Sequence, residues 1–127
     1  MMENPIVEKI LKKGLKAVNL SMLDESQQKA ILADVGEKLF RQNRFNEAVD
    51  AMSRAGEFEK LLAMGDSFIV QGKTELATLC FIPTHDKEKL NMAALKCIQM
   101  KNYKLAAKAY EACGNLQMAD FISKNFG

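Results

Sequence analysis

Apolar residues return along this chain every three or four positions, the spacing that gathers them on one side of a helix. No stretch alternates apolar with polar over β-branched residues, as a half-buried strand would. Polar breaks divide the pattern into eight predicted helices. The first extends from Pro5 to about Val18; Asn4 is its N-cap, and Pro5 sits in the first turn, where its missing N–H costs nothing. The second starts at Asp24, which with Gln27 has the spacing of a capping box, and ends near Gln42. The third covers about Asn46 to Ala55 and stops at Gly56, a residue that enters the left-handed conformation easily. The fourth spans Phe58 to Gln71, and the fifth spans Thr74 to Phe81, where Pro83 forbids continuation. Asp86 caps the sixth, which reaches about Lys101; the seventh covers Tyr103 to Cys113 and the eighth Leu116 to Asn125.

The pattern has a longer period. The same arrangement occurs three times, 29 residues apart, without gaps. Small residues stand at Gly36, Gly65 and Ala94, followed by larger or apolar ones at Leu39, Phe68 and Cys97 and at Phe40, Ile69 and Ile98. After a polar turn come Phe45, Thr74 and Tyr103, then Ala48, Ala77 and Ala106, then the bulky Met52, Phe81 and Tyr110, and the unit closes at Gly56, His85 and Gly114. Self-similarity of this length marks a repeat architecture. Twenty-nine residues hold two helices of about three turns with short turns between them. Short turns make consecutive helices antiparallel neighbours, and the small residues suit the closest approach of the two axes. One period back, Ile10 and Leu11 match Leu39 and Phe40, but Lys16 and Asn19 do not match Phe45 and Ala48, so the first helix reads as a cap.

The expected fold is therefore all-α: one domain over residues 1–127, a right-handed superhelix of antiparallel hairpins. Its repeats fall at about 30–58, 59–87 and 88–116, with terminal helices at 4–19 and 115–126. The repeats resemble those of the tetratricopeptide family. In that family a Leu-Gly pair is followed by an aromatic three residues after the Gly and an Ala twelve after it. Here Val35-Gly36, Leu39, Phe45, Ala48, Met52 and Ala55 match those offsets, as do Met64-Gly65, Phe68, Ala77 and Phe81, and Ala94, Tyr103, Ala106, Tyr110 and Cys113. The period is shorter than the family's usual one, the early Trp and the closing Pro are missing, and Thr74 replaces an aromatic. The short unit is also similar to clathrin- and coatomer-type helical repeats. The resemblance implies scaffold or adaptor work through a concave groove lined by the first helix of each unit.

Composition narrows the function classes. Net charge is only +2, too small to demand an anionic partner. No apolar run approaches the length of a membrane span. Residues 1–5 lack the basic-then-apolar layout of a secretory signal, and three Cys without close pairs do not form a disulfide framework, so a cytoplasmic setting is expected.

Candidate chemistry is sparse. Three Cys and one His lack the paired spacing of a zinc site; Cys97 and Cys113 fall on core positions and His85 on a turn position. No phosphate loop, activated nucleophile or nucleotide fingerprint occurs, so no enzyme activity, catalytic residue, metal or cofactor is expected. The groove residues are Glu37, Arg41, Asp66, Val70, Leu95 and Gln99, a mixed surface suited to a peptide or protein segment. Lys9, Lys12, Lys13 and Lys16 would form one basic face of the first helix, with Ile6, Val7, Ile10, Leu11 and Val18 opposite. That face is the alternative reading, a binder of nucleic acid or an anionic surface. Glu3 and Glu8 dilute its charge and no aromatic is interleaved to stack on bases, which argues against nucleic acid. The last helix carries Leu116, Met118, Phe121, Ile122 and Phe126, more apolar surface than one neighbour covers, so this end is expected to pair with a second copy or a partner chain.

Overall fold

The structure, a computed structural model, describes residues 4–127; Glu3 lies outside them. The described residues form α1 (Pro5–Lys13), α2 (Glu25–Arg41), α3 (Phe45–Arg54), α4 (Phe58–Val70), α5 (Thr74–Phe81), α6 (Lys87–Gln99), α7 (Tyr103–Ala112) and α8 (Leu116–Phe126), with 3-10 turns at Leu15–Ala17 and Ile82–Thr84 and no strand among them. They divide into two compact units, Met1–Phe58 and Glu59–Gly127.

The predicted caps form. Asn4 accepts the Ile6 N–H at 2.8 Å. Asp24 accepts from the Gln27 N–H at 2.7 Å while Gln27 accepts from the Asp24 N–H at 3.2 Å, which completes the capping box. Asp86 accepts from the Lys89 N–H at 3.0 Å.

The first helix differs from expectation. It ends at Lys13, because Gly14 leaves the helical region (φ 98°, ψ 161°) and donates its N–H back to the Ile10 carbonyl at 2.7 Å. Residues 15–17 form a separate 3-10 turn, so Lys16 and Val18 do not belong to α1.

In the first unit α2 and α3 form a hairpin and α1 lies against α2. Val7, Ile10, Val35, Leu39, Ala48 and Ala51 share its core. Arg44 fastens α1 to this hairpin: its Nη1 donates to the Leu11 carbonyl at 2.7 Å while Nε and Nη2 grip the Glu47 carboxylate at 3.2 and 2.8 Å. In the second unit α5 packs on α6, α6 on α7 and α7 on α8. Ala77, Phe81, Leu90, Ala94, Cys97 and Ala106 lie at its centre.

The period is visible in the backbone. Asn43, Gly72 and Lys101 all have left-handed φ, at 60°, 77° and 63°. The next N–H groups, of Arg44, Lys73 and Asn102, reach back to the carbonyls of Leu39, Phe68 and Cys97 at 3.0, 2.8 and 2.8 Å. That is the bond that ends a helix in a Schellman motif, made three times at one register. The unit-closing residues Gly56, His85 and Gly114 are left-handed too, at 74°, 55° and 83°. The small residues hold the expected place: a Cβ on Gly36 would stand 2.6 Å from Met52 Cγ, and one on Gly65 would stand 2.7 Å from Cδ1 and Cζ of Phe81. Ala48, Ala77 and Ala106 are all fully buried.

Candidate functional site

Each pair of predicted groove residues sits one turn apart and shares a helix face, because residues four apart are neighbours on a helix. On α2, Glu37 is half-buried and Arg41 exposed. On α4 and α6, Asp66, Val70, Leu95 and Gln99 are all exposed, and the apolar pair stands well into solvent, Val70 at 88% and Leu95 at 56%. Asp66 is engaged: its Oδ1 accepts from Lys89 Nζ at 2.8 Å, joining α4 to α6. That hydrogen bond raises the Lys89 pKa, and the charges of the nearby carboxylates add to it. Periodicity placed Asp66 on an outward face but could not supply Lys89, which lies 23 residues away on another helix.

The basic face is smaller than expected. Lys9, Lys12 and Lys13 are exposed on α1, opposite the buried Val7 and Ile10, while Lys16 belongs to the 3-10 turn. Lys12 and Lys13 occupy the last turn of α1, where a positive charge complements the helix dipole.

Cys80, Cys97 and Cys113 are free thiols and all buried. Burial pushes the Cys80 thiol up to about 12. Burial also raises Cys97, against an opposing hydrogen bond from Thr78. Tyr110 is raised by burial and by its neighbour Cys113. His85 is in the left-handed conformation, and its Nδ1–H donates to the Ala112 carbonyl at 2.7 Å, an orientation that fixes the proton on Nδ1. Among the described residues no three His, Cys, Asp or Glu side chains gather as metal ligands would, and no helix is long and apolar enough to cross a membrane.

A second surface lies at the end of the second unit. An open cleft of about 470 Å³ runs between α7 and α8. Tyr103, Lys104, Ala107, Lys108 and Glu111 line its α7 side, and Ile122, Ser123 and Phe126 its α8 side. The Tyr103 and Phe126 rings stack with centroids 4.3 Å apart and planes 14° from parallel. Phe126 is nevertheless 51% exposed, and Leu116 and Phe121 are also exposed on α8. The excess of apolar residues on this helix was legible in the sequence, but the cleft and the α7 residues that line it were not. None of the predicted groove residues lines this cleft.

No family model, curated protein or solved structure matches the chain.

Proposed function

We propose that the chain is a non-catalytic interaction module, a tetratricopeptide-like αα-solenoid that holds a segment of another protein against α4 and α6. The observation that carries this reading is the exposure of Val70 and Leu95 on helices that bury Leu61, Leu90, Ala94 and Cys97. A single exposed apolar residue is ordinary. Two of them, each one turn from a polar residue on adjacent helices joined by Asp66 and Lys89, offer anchors for apolar side chains with polar groups beside them. A rigid helical support lowers the ordering cost of binding.

The placement of the thiols supports binding over catalysis. A buried thiol with a raised pKa is a poor nucleophile, since the thiolate is the reactive form. Three unpaired cysteines fit a reducing compartment, and we place the protein in the cytoplasm on that ground. Binding of nucleic acid or an anionic surface by α1 would rest on three lysines instead of four, and its steep salt dependence separates it from groove binding.

The test is affinity capture from native extract with wild type and with the double variant Val70→Asp, Leu95→Asp. Both sites are exposed, so the variant keeps its circular dichroism spectrum. The expected result is loss of proteins that the wild type captures at 150 mM salt, roughly the physiological ionic strength. Capture of the same set by both proteins would overturn the reading.

A further inference from the structure

Residues 45–54 form α3, but the stretch one period earlier, 16–25, holds the end of a 3-10 turn and no α-helix before Glu25. Val18 in its middle is extended, at φ −121° and ψ 125°. Lys16 and Asn19 stand where α3 has Phe45 and Ala48, so two positions that pack α3 carry polar side chains here. An α-helix with its side chains is about 10–12 Å across. A short turn and one extended strand fill less of that width. In the first unit an open cleft of about 560 Å³ lies between residues 15–20, α2 and α3. That volume is within the range of small-molecule sites, about 300–1,000 Å³.

The lining combines two chemistries. Leu15, Val18 and Leu20 are half-buried along the cleft, and Leu32 of α2 is the most deeply buried residue in its wall, at 7% exposed. The polar lining residues are Lys16, Asn19, Gln28 and Arg54. Asn19 Oδ1 already accepts the Ser21 N–H at 2.9 Å, so the group that Asn19 offers a ligand is the Nδ2 donor. Gln28 is held in the wall by its Nε2, which donates to the Leu23 carbonyl at 2.8 Å. Arg54 Nε donates to Asp50 Oδ1 at 3.2 Å, which takes one of the five guanidinium N–H groups. That ion pair is about half open to solvent on both sides, so it is weak. Asp50 does not line the cleft, and neither does any other carboxylate among the described residues. Lys16 and Arg54 set against Asp50 leave a single positive charge, which suits a monoanion better than a dianion.

We propose that this cleft binds a small organic monoanion with an apolar body, of the class of a medium-chain carboxylate. The carboxylate lies against Lys16, Arg54 and the Asn19 amide, and the hydrocarbon lies along Leu15, Val18, Leu20 and Leu32. An inorganic anion leaves the apolar wall unused, and a neutral hydrocarbon leaves the two cations unpaired. The break at Gly14 that takes Lys16 off α1 thus places it where it has an anion to meet. The proposal is independent of the α4–α6 surface and uses none of its residues.

Octanoate, kept below its micelle-forming concentration, is the probe. It is titrated into the isotopically labelled full chain, and the amide shifts are followed by two-dimensional NMR. Saturable shifts are expected at residues 15–20 and in the side-chain amides of Asn19 and Gln28. Octanol keeps the body without the charge, and acetate keeps the charge without the body; each should bind at least tenfold more weakly. Lys16→Gln and Arg54→Gln should each weaken octanoate binding about tenfold, the effect of losing one charge-assisted hydrogen bond. Val70→Asp should leave it unchanged. Lys16 and Arg54 are both exposed, so the two variants keep the wild-type circular dichroism spectrum. Shifts that do not saturate, or that cluster outside the cleft, overturn the proposal. Octanol or acetate binding as tightly as octanoate overturns it too, as does binding indifferent to both substitutions.

Discussion

Gly65→Ala is expected to destabilise the protein although alanine is the better helix former. Glycine in a helix interior costs about 1 kcal/mol relative to alanine, so an uncontested site would gain that amount. At Gly65 the new methyl would stand 2.7 Å from Cδ1 and Cζ of Phe81 and closer still to Cε1. Carbon atoms pack at about 3.5–4.0 Å, so the ring must move by roughly 1 Å. Phe81 is fully buried and flat, and it shares its core with Ala77, Leu90 and Ala94. Overpacking of this kind costs about 1–3 kcal/mol, and an overlap this large against an aromatic ring belongs at the top of that range. The net expectation is a loss of about 2 kcal/mol. Gly36→Ala is the matched control. Its methyl would meet Met52 Cγ at 2.6 Å and Sδ at 2.7 Å, a shallower intrusion than at Gly65 and one on a thioether chain with three rotatable bonds. A rearrangement costing about 1 kcal/mol is offset by helix propensity, and that variant should be near neutral. Urea unfolding monitored by circular dichroism reads the difference, about 1 M in midpoint at a slope of about 2 kcal/mol/M. If Gly65→Ala matches the wild type, or Gly36→Ala is the less stable of the two, the close-approach role of the small residues is wrong.

Three further expectations concern other parts of the fold. Arg44→Ala removes the clamp on the Leu11 carbonyl and should cost about 1–2 kcal/mol with faster hydrogen exchange in α1; Arg44→Lys should not rescue it, since one ammonium cannot grip Glu47 and reach Leu11 together. Unchanged protection of the α1 amides would refute the clamp. Cys80, Cys97 and Tyr110 all have folded pKa values raised by burial, so the folded state holds more protons than the unfolded chain at alkaline pH. Stability is therefore full below pH 9.0, the ordinary thiol value, and falls as pH rises towards about 12, the folded value of Cys80; a chain that gains stability over that interval in urea titrations would contradict it. At His85, glycine should be more stable than alanine by about 1 kcal/mol, because both lose the bond to Ala112 but only alanine keeps the left-handed strain; the reverse order in thermal unfolding would remove the turn role.

Most of the fold could be read from side-chain spacing because local rules and the repeat agree. Asn4, Asp24 and Asp86 are strong caps and cap as expected. His85 could be placed at a left-handed turn although it is not glycine, since Gly56 and Gly114 stand one period to either side. The first helix was overextended for an identifiable reason. Leu15 and Val18 continue the apolar spacing of α1, so the pattern passes through a residue whose backbone leaves the helix. The signal to stop was Gly14 itself, 29 residues before the left-handed Asn43. Removing Lys16 from the helix face is the functional consequence.

The end cleft shows why exposure at a repeat terminus escapes residue-by-residue reading. Ala94 and Ser123 have the same place in the period and both are small, yet one is buried and the other exposed. The difference lies in the neighbouring helix: α7 lies against the helix carrying Ala94, and no described helix lies against the same side of α8. Side-chain type alone ranks Phe126 as a core residue, and its stacking on Tyr103 meets that expectation by half. Register ranks it differently, as the successor of Leu39 and Cys97, both fully buried. Adding one period to the buried small residues thus names a strip that the described helices leave uncovered. Here that strip contains Ser123, which lines the cleft between α7 and α8.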